Sequence, residues 1–177
     1  MPVAHSAEGD ALCALHRNRS TGVTVIDLLL KQLDQAFDRR SWHGTNLRGS
    51  IRGLSAREAV WRPAAGRHNV QEIVVHAAYW KYTVQRRLTG SARGGFPLRG
   101  SNWFPRDTPD ERLWRGDIRL LEDMHRSLRA VVVKLDPDRL DTSVDGGPVA
   151  IQGLVSGIIA HDLYHAGQIQ LLKRFRK

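Results

Sequence analysis

The sequence predicts an all-α protein, a four-helix bundle with long connections after its first and second helices. Four segments repeat apolar residues at three- and four-residue steps, which is the period of an amphipathic helix. No segment alternates apolar and polar residues for long enough to indicate a sheet. Four such helices in a chain of 177 residues bury their apolar faces most simply against one another.

The first long helix is predicted over residues 24–40. A short extra helix is predicted over residues 56–61, because Ser55 and Glu58 are the residue types of a capping box at three-residue spacing. The apolar face of the first helix consists of Ile26, Leu29, Leu30, Leu33 and Phe37.

The second and third long helices are predicted over residues 70–88 and 109–135. Asn69 and Glu72 indicate another capping box at the start of the second helix. Thr108, followed by proline and two acidic residues, is a typical helix start and marks the beginning of the third. The connections on either side of the second helix are therefore long, and such connections often carry function.

Length and composition predict a single domain over residues 21–177, preceded over residues 1–20 by either a flexible tail or a short packed arm. Cys13 is the single cysteine, so no disulfide can form within the chain. We find neither a signal-peptide core nor an apolar run long enough for a membrane span, and we expect a cytoplasmic protein. The net charge of +9 comes from arginines spread along the chain, so we expect no specific nucleic-acid binding and no membrane partner.

The fourth helix, predicted over residues 151–174, carries two histidines four positions apart, His161 and His165. Both lie within its apolar stripe, and His76 lies in the corresponding stripe of the second helix. Two imidazoles one turn apart can bind the same metal ion, and three inward-facing histidines indicate a buried metal site. The alternative for each histidine alone is a hydrogen-bonded core residue.

Several segments together resemble the DinB/YfiT-like family of metalloenzymes. The resemblance covers most of the chain and is most specific in its last segment. The segments that carry it are residues 41–44, 61–63, 68–76 and 157–169.

The resemblance implies a four-helix bundle of up-down-down-up order and a metal held by His76, His161 and His165, the same three histidines that the stripes select. It also implies thiol S-transfer or hydrolysis as the activity, and a homodimer as the assembly. Many members of the family have no known reaction.

Three histidine ligands would leave open positions on a divalent ion, which is typical of catalytic rather than structural sites. Zn, Ni, Fe and Co suit an all-nitrogen site about equally. We therefore expect a metal-dependent enzyme that acts on a small-molecule substrate, possessing either a transferase or a hydrolase activity. Transfer of a low-molecular-weight thiol is ranked first because hydrolysis also needs a general base, and the stripes offer only Glu72, which we expect to cap its helix. The alternative is a non-catalytic, metal-stabilised bundle that acts as a binding or stress-response protein.

Other residues are candidates for supporting roles. Glu72 and Gln168 lie one turn from His76 and His165, so either could orient a ligand, although capping is the simpler role for Glu72. His43 is a candidate acid or base, or else braces its turn. Asp162 and Tyr164 lie off the stripe and are expected to bond neighbouring helices.

Overall fold

The computed structural model describes residues 22–144 and 146–176. The predicted tail at residues 1–20 lies outside the described residues. Within those two ranges the chain contains no β-strand, although Ser143 and Ala150 form one isolated antiparallel bridge. No helix in the same ranges combines the length and the apolar character needed to cross a membrane. The helices, in chain order, are α1 (Val25–Phe37), α2 (Leu47–Ser50), α3 (Ala56–Ala59), α4 (Val70–Thr89), α5 (Glu111–Val132), the 3-10 turn Pro137–Arg139 and α6 (Ile151–Phe175).

The four long helices form a bundle whose core has two halves. One half joins the first part of α1 and of α6 to the ends of α4 and α5, where Val84 and Leu128 pack. The other half joins α2, α3 and the beginnings of α4 and α5 to Phe37 and Ile169, near the ends of α1 and α6. The helix directions are therefore up, down, down and up, as the family resemblance implies. Two parallel neighbours, α4 and α5, require the long connection between them.

Capping explains most of the helix boundaries. The Thr24 hydroxyl accepts from the backbone N–H of Asp27, whose carboxylate bonds back to Thr24, and this reciprocal pair starts α1. The predicted box of Ser55 and Glu58 is confirmed at the start of α3. We did not predict α2 from the sequence, because a helix of only four residues is too short to show a period.

Two predicted helix starts differ from the structure. The Asn69 side chain caps α4 through the N–H of Glu72, but the Glu72 carboxylate does not complete the box. The start of α5 lies at Glu111 rather than at residue 109. Its cap is Asp110, whose carboxylate accepts from the N–H groups of Arg112 and Leu113. A carboxylate accepting two N–H groups forms a stronger cap than the Thr108 hydroxyl could.

The connection between α4 and α5 folds back against the bundle. Phe104 is buried, and Arg106 forms a two-pronged ion pair with Asp117 of α5 at 2.7 and 3.1 Å. The Asn69 side-chain amide also donates to the carbonyl of Arg106 at 2.6 Å. These contacts fix the connection over the first half of α4, where His76 lies.

Candidate metal centre

The three predicted histidines converge between α4 and α6. His76 lies in the first half of α4, and His161 and His165 lie on consecutive turns of α6. The Nε2 atom of His161 is 3.1 Å from the Nε2 atoms of both His76 and His165. These three residues, hereafter the triad, are the one group of metal-binding side chains found close together within the described ranges.

Hydrogen bonds on the far side of two rings fix where their protons lie. The Nδ1 atom of His76 is 2.9 Å from the carbonyl oxygen of Asn102, and the Nδ1 atom of His165 is 2.7 Å from Oε1 of Gln168. Because both oxygens can only accept, each Nδ1 carries the proton and each Nε2 presents a lone pair. The lone pairs of His76 and His165 therefore both face Nε2 of His161, and the three nitrogens surround a gap that a cation can fill.

Burial keeps the triad uncharged at neutral pH. Burial, reinforced by the neighbouring histidines, lowers the pKa of His161 to about 3. Burial also lowers the pKa of His165 to about 4 and lowers that of His76. A neutral imidazole is the form that binds a metal, so protons do not compete for these nitrogens near pH 7.

The donor set fits a divalent transition-metal ion. Two imidazoles that bind one ion tetrahedrally at 2.0–2.1 Å have their nitrogens roughly 3.3 Å apart. The observed distances of 3.1 Å are close to that value. The supporting bonds from Asn102 and Gln168 are of the kind that normally orients histidine ligands. His161 differs, since its buried Nδ1 has no partner among the described residues.

The triad forms part of the lining of an open cavity of about 790 Å³, large enough for a small molecule. Its lining is mainly apolar and aromatic, and none of the residues that line it is acidic. We call it the triad cavity. Besides the triad, its lining includes His68, Trp80, Trp103, Tyr164, Leu171 and the single arginine, Arg67.

A scan against protein-family models matches residues 38–169 to the DinB superfamily. The chain belongs to the DinB superfamily. The matched range contains the triad and most of the bundle. No curated protein and no solved structure matched the chain. The family resemblance noted from the sequence is thus confirmed.

Two residues of this DinB-superfamily protein that build the site were not selected from the sequence. Trp103 stacks on the ring of His76 with centroids 3.9 Å apart and on the ring of His68 at 3.5 Å. Asn102 supplies its backbone carbonyl to His76 and its side-chain oxygen to Trp80. Both belong to the α4–α5 connection, where no periodicity predicts which way a residue faces.

Glu72 does not face the triad. Its carboxylate accepts from the Arg62 guanidinium, from the backbone N–H of Arg106 and from Nδ1 of His68. Burial alone would raise the pKa of Glu72, but the hydrogen bonds from Arg62 and His68 lower it to about 2. Glu72 is thus a fixed anion, and no hydrogen bond joins it to His76 in the described part of the chain.

The remaining candidates are placed as follows. Gln168 contacts His165 as predicted. His43 is exposed in the turn after α1 and is not among the residues that line the triad cavity. Asp162 bonds Lys81 of α4, whereas Tyr164 accepts a hydrogen bond from Gln168 of its own helix and lines the cavity.

Proposed function

We propose that this protein is a metal-dependent enzyme that joins a low-molecular-weight thiol to a small electrophilic molecule. The observation that carries the proposal is the position of the triad: three neutral imidazoles turn their Nε2 atoms toward one place in the lining of an open cavity. A structural metal site is normally closed by four protein ligands. Three ligands beside an open cavity leave room for a substrate.

The residues His76, His161 and His165 would hold the ion, and Zn, Ni, Fe and Co remain the candidates. A bound divalent cation would lower the pKa of a thiol or water placed against it. Asn102 and Gln168 hold two of the imidazoles in the orientation that this requires.

The chemistry of the triad cavity favours thiol transfer over hydrolysis. Glu72, the one acid that the sequence offered as a general base for water, is paired with Arg62 and does not face the triad. The lining offers aromatic and aliphatic surface to the carbon part of a substrate. It also offers one cation, Arg67, so neutral and anionic substrates suit it better than cationic ones.

The test is a substrate screen with the metal-loaded protein and with protein stripped by a chelator. Thiols of low molecular weight are paired with electrophiles that carry an activated double bond or a halide, and ester and amide substrates form the second arm. We expect thiol-dependent turnover that chelation abolishes and that added metal restores.

Chelator-sensitive ester or amide cleavage without thiol-dependent turnover would reverse the ranking in favour of a hydrolase. Turnover that survives chelation would contradict the proposal. Absence of metal-dependent turnover across both arms would favour the alternative of a metal-stabilised binding protein.

A further inference from the structure

A fourth histidine borders the triad cavity and takes no part in the triad. His68 lies just before α4, with its side chain 45% exposed, and lines the triad cavity. Its Nδ1 is 2.8 Å from Oε2 of Glu72, whereas its Nε2 has no hydrogen-bond partner among the described residues. A carboxylate bonded to Nδ1 holds the proton there and leaves Nε2 as an acceptor.

The Glu72 carboxylate is buried and is held in place by its hydrogen bonds. Only about 6% of its side chain is exposed, and both of its oxygens accept from Arg62. Arg62 is itself fixed by Asp107 and by the carbonyl of Arg67. An anion held in this way stabilises positive charge on the imidazole that it contacts.

Trp103 connects this pair to the triad. The indole stacks on His68 at 3.5 Å and on His76 at 3.9 Å between ring centroids, nearly parallel to both. The two imidazoles therefore border one cavity on either side of a single aromatic residue. His68 and the triad line the same cavity, in which a small molecule would bind.

We propose that His68 is the general base of this site and that Glu72 is its positioning residue. The inference rests on the proposed function. Nε2 of His68 accepts the proton of the substrate S–H, and the electron pair of that bond stays on sulfur. The thiolate then forms its bond to the electrophilic carbon. When the electrophile is an activated double bond, its π electrons take up the proton from Nε2. When it is a halide, the halide leaves with the bonding electrons and the proton passes to solvent.

Within the described part of the chain, the charged groups near His68 leave its Nε2 without a bond. Glu72 bonds Nδ1, and Arg62, Arg106 and Asp107 surround that pair. Arg67 and His76 line the same cavity as His68.

The first test reads the protonation of His68 directly and does not need turnover. Histidine-ring ¹⁵N spectra of the zinc-loaded full chain are recorded with and without 2-mercaptoethanol. We expect the neutral ring to carry its proton on Nδ1 and to move toward the doubly protonated form when the thiol binds. A proton on Nε2 in the free protein, or an unchanged ring with thiol bound, would overturn the inference.

The second test is kinetic and uses a variant that keeps the stacking. His68→Phe leaves a ring on Trp103 but removes the base, so a merely structural role predicts unchanged activity. We expect kcat/KM to fall by roughly 10²–10⁴-fold with unchanged metal content, and added imidazole to restore part of it in His68→Ala. Glu72→Gln should leave the metal content unchanged but let the neutral His68 ring carry its proton on either nitrogen, because an amide can donate or accept, and the same ¹⁵N spectra detect this change.

The outcomes separate the two proposals. Thiol-induced protonation of His68 without turnover would support the base and contradict the proposed reaction. Metal-dependent turnover that His68→Phe leaves intact would support the reaction and overturn the base. Failure of 2-mercaptoethanol to bind the zinc-loaded protein would contradict both.

Discussion

The triad lies beside a second buried polar cluster on the same two helices, and the two groups differ in whether they contain a positive charge. Lys81 of α4 and Asp162 of α6 form a fully buried ion pair, with His125 of α5 at 3.5 Å from Lys81 Nζ. We call these three residues the Lys81 cluster. Asp162 directly follows His161 in the chain. The Lys81 cluster carries its own cation, whereas the triad consists of three uncharged imidazoles.

The contrast separates a binding site from a structural network. Lys81 also lies over the ring of Phe37, 4.9 Å from its centroid, and the cluster is sealed within the core. Burial raises the pKa of Asp162, although the charge and hydrogen bond of Lys81 oppose that rise. Neighbouring residues on one helix can thus face an open cavity or a closed core, and only the group at the open cavity could hold an ion from outside.

The largest expected effect follows from removing one triad ligand. His161→Ala should reduce metal affinity by at least about 100-fold, because two imidazoles rarely hold an ion, and metal content should fall from one per chain toward zero. Elemental analysis of the purified protein measures this. His43→Ala is the matched control, since His43 is exposed outside the cavity, and it should retain one metal. Equal stoichiometry in His161→Ala would contradict the assignment.

In the Lys81 cluster, the corresponding change should affect folding and not metal binding. Asp162→Ala leaves a buried cation unpaired and should lower the free energy of unfolding by about 3–5 kcal/mol. Replacing both partners, as Lys81→Met with Asp162→Leu, should recover most of that loss because no buried charge remains. Urea unfolding of the two variants measures the difference. A double variant as unstable as the single one would show that the pair is not the cause.

A smaller effect is expected at Gln168, which bonds a histidine of the triad and would not touch the metal itself. Gln168→Ala removes the acceptor for Nδ1 of His165 and should weaken metal binding by about 10–100-fold. Gln168→Glu keeps an acceptor at that position and makes the imidazole a stronger ligand, so it should match or exceed the natural affinity. Competition with a metal indicator measures both. Loss of affinity in both variants alike would indicate that Gln168 acts through packing.

The smallest effect is a change in the pH dependence of stability. Burial, followed by the charge of Lys81, lowers the pKa of His125 to about 3. Between pH 6.5 and 3 a proton therefore binds His125 in the unfolded chain but not in the folded protein, so the free energy of unfolding decreases as the pH falls. His125→Phe should remove up to about 1.4 kcal/mol per pH unit from that slope. Urea unfolding at pH 7, 6 and 5 measures it, and identical slopes would contradict it.

The sequence predicted the helices in which apolar residues recur at a regular spacing. The bounds of α4 and α6 were predicted within one residue of those observed, and their apolar stripes identified all three histidines of the triad. One turn of helix fixes the relative direction of His161 and His165 locally, and the stripe fixes that both face inward.

The residues that the sequence did not reveal lie where direction depends on tertiary contacts. Asn102 and Trp103 belong to a connection that is held by Arg106 and Asp117, and the side-chain pairing of Arg106 joins residues 11 positions apart. Glu72 was assigned a capping role because Asn69 stands three positions before it. The fold of the preceding connection brings Arg62 close to Glu72, and the Glu72 carboxylate accepts hydrogen bonds from Arg62 instead. Local propensity cannot anticipate such competition among partners.

Asn102 has a backbone φ of 62°, a left-handed conformation that asparagine tolerates better than most residues. Its carbonyl binds the far side of His76, and its side chain binds Trp80. A cation on Nε2 makes the opposite N–H a stronger donor, so occupancy of the triad and order in the α4–α5 connection reinforce each other. By thermodynamic reciprocity, a molecule that binds the ordered connection more tightly when the triad holds an ion would raise the affinity for that ion by the same factor.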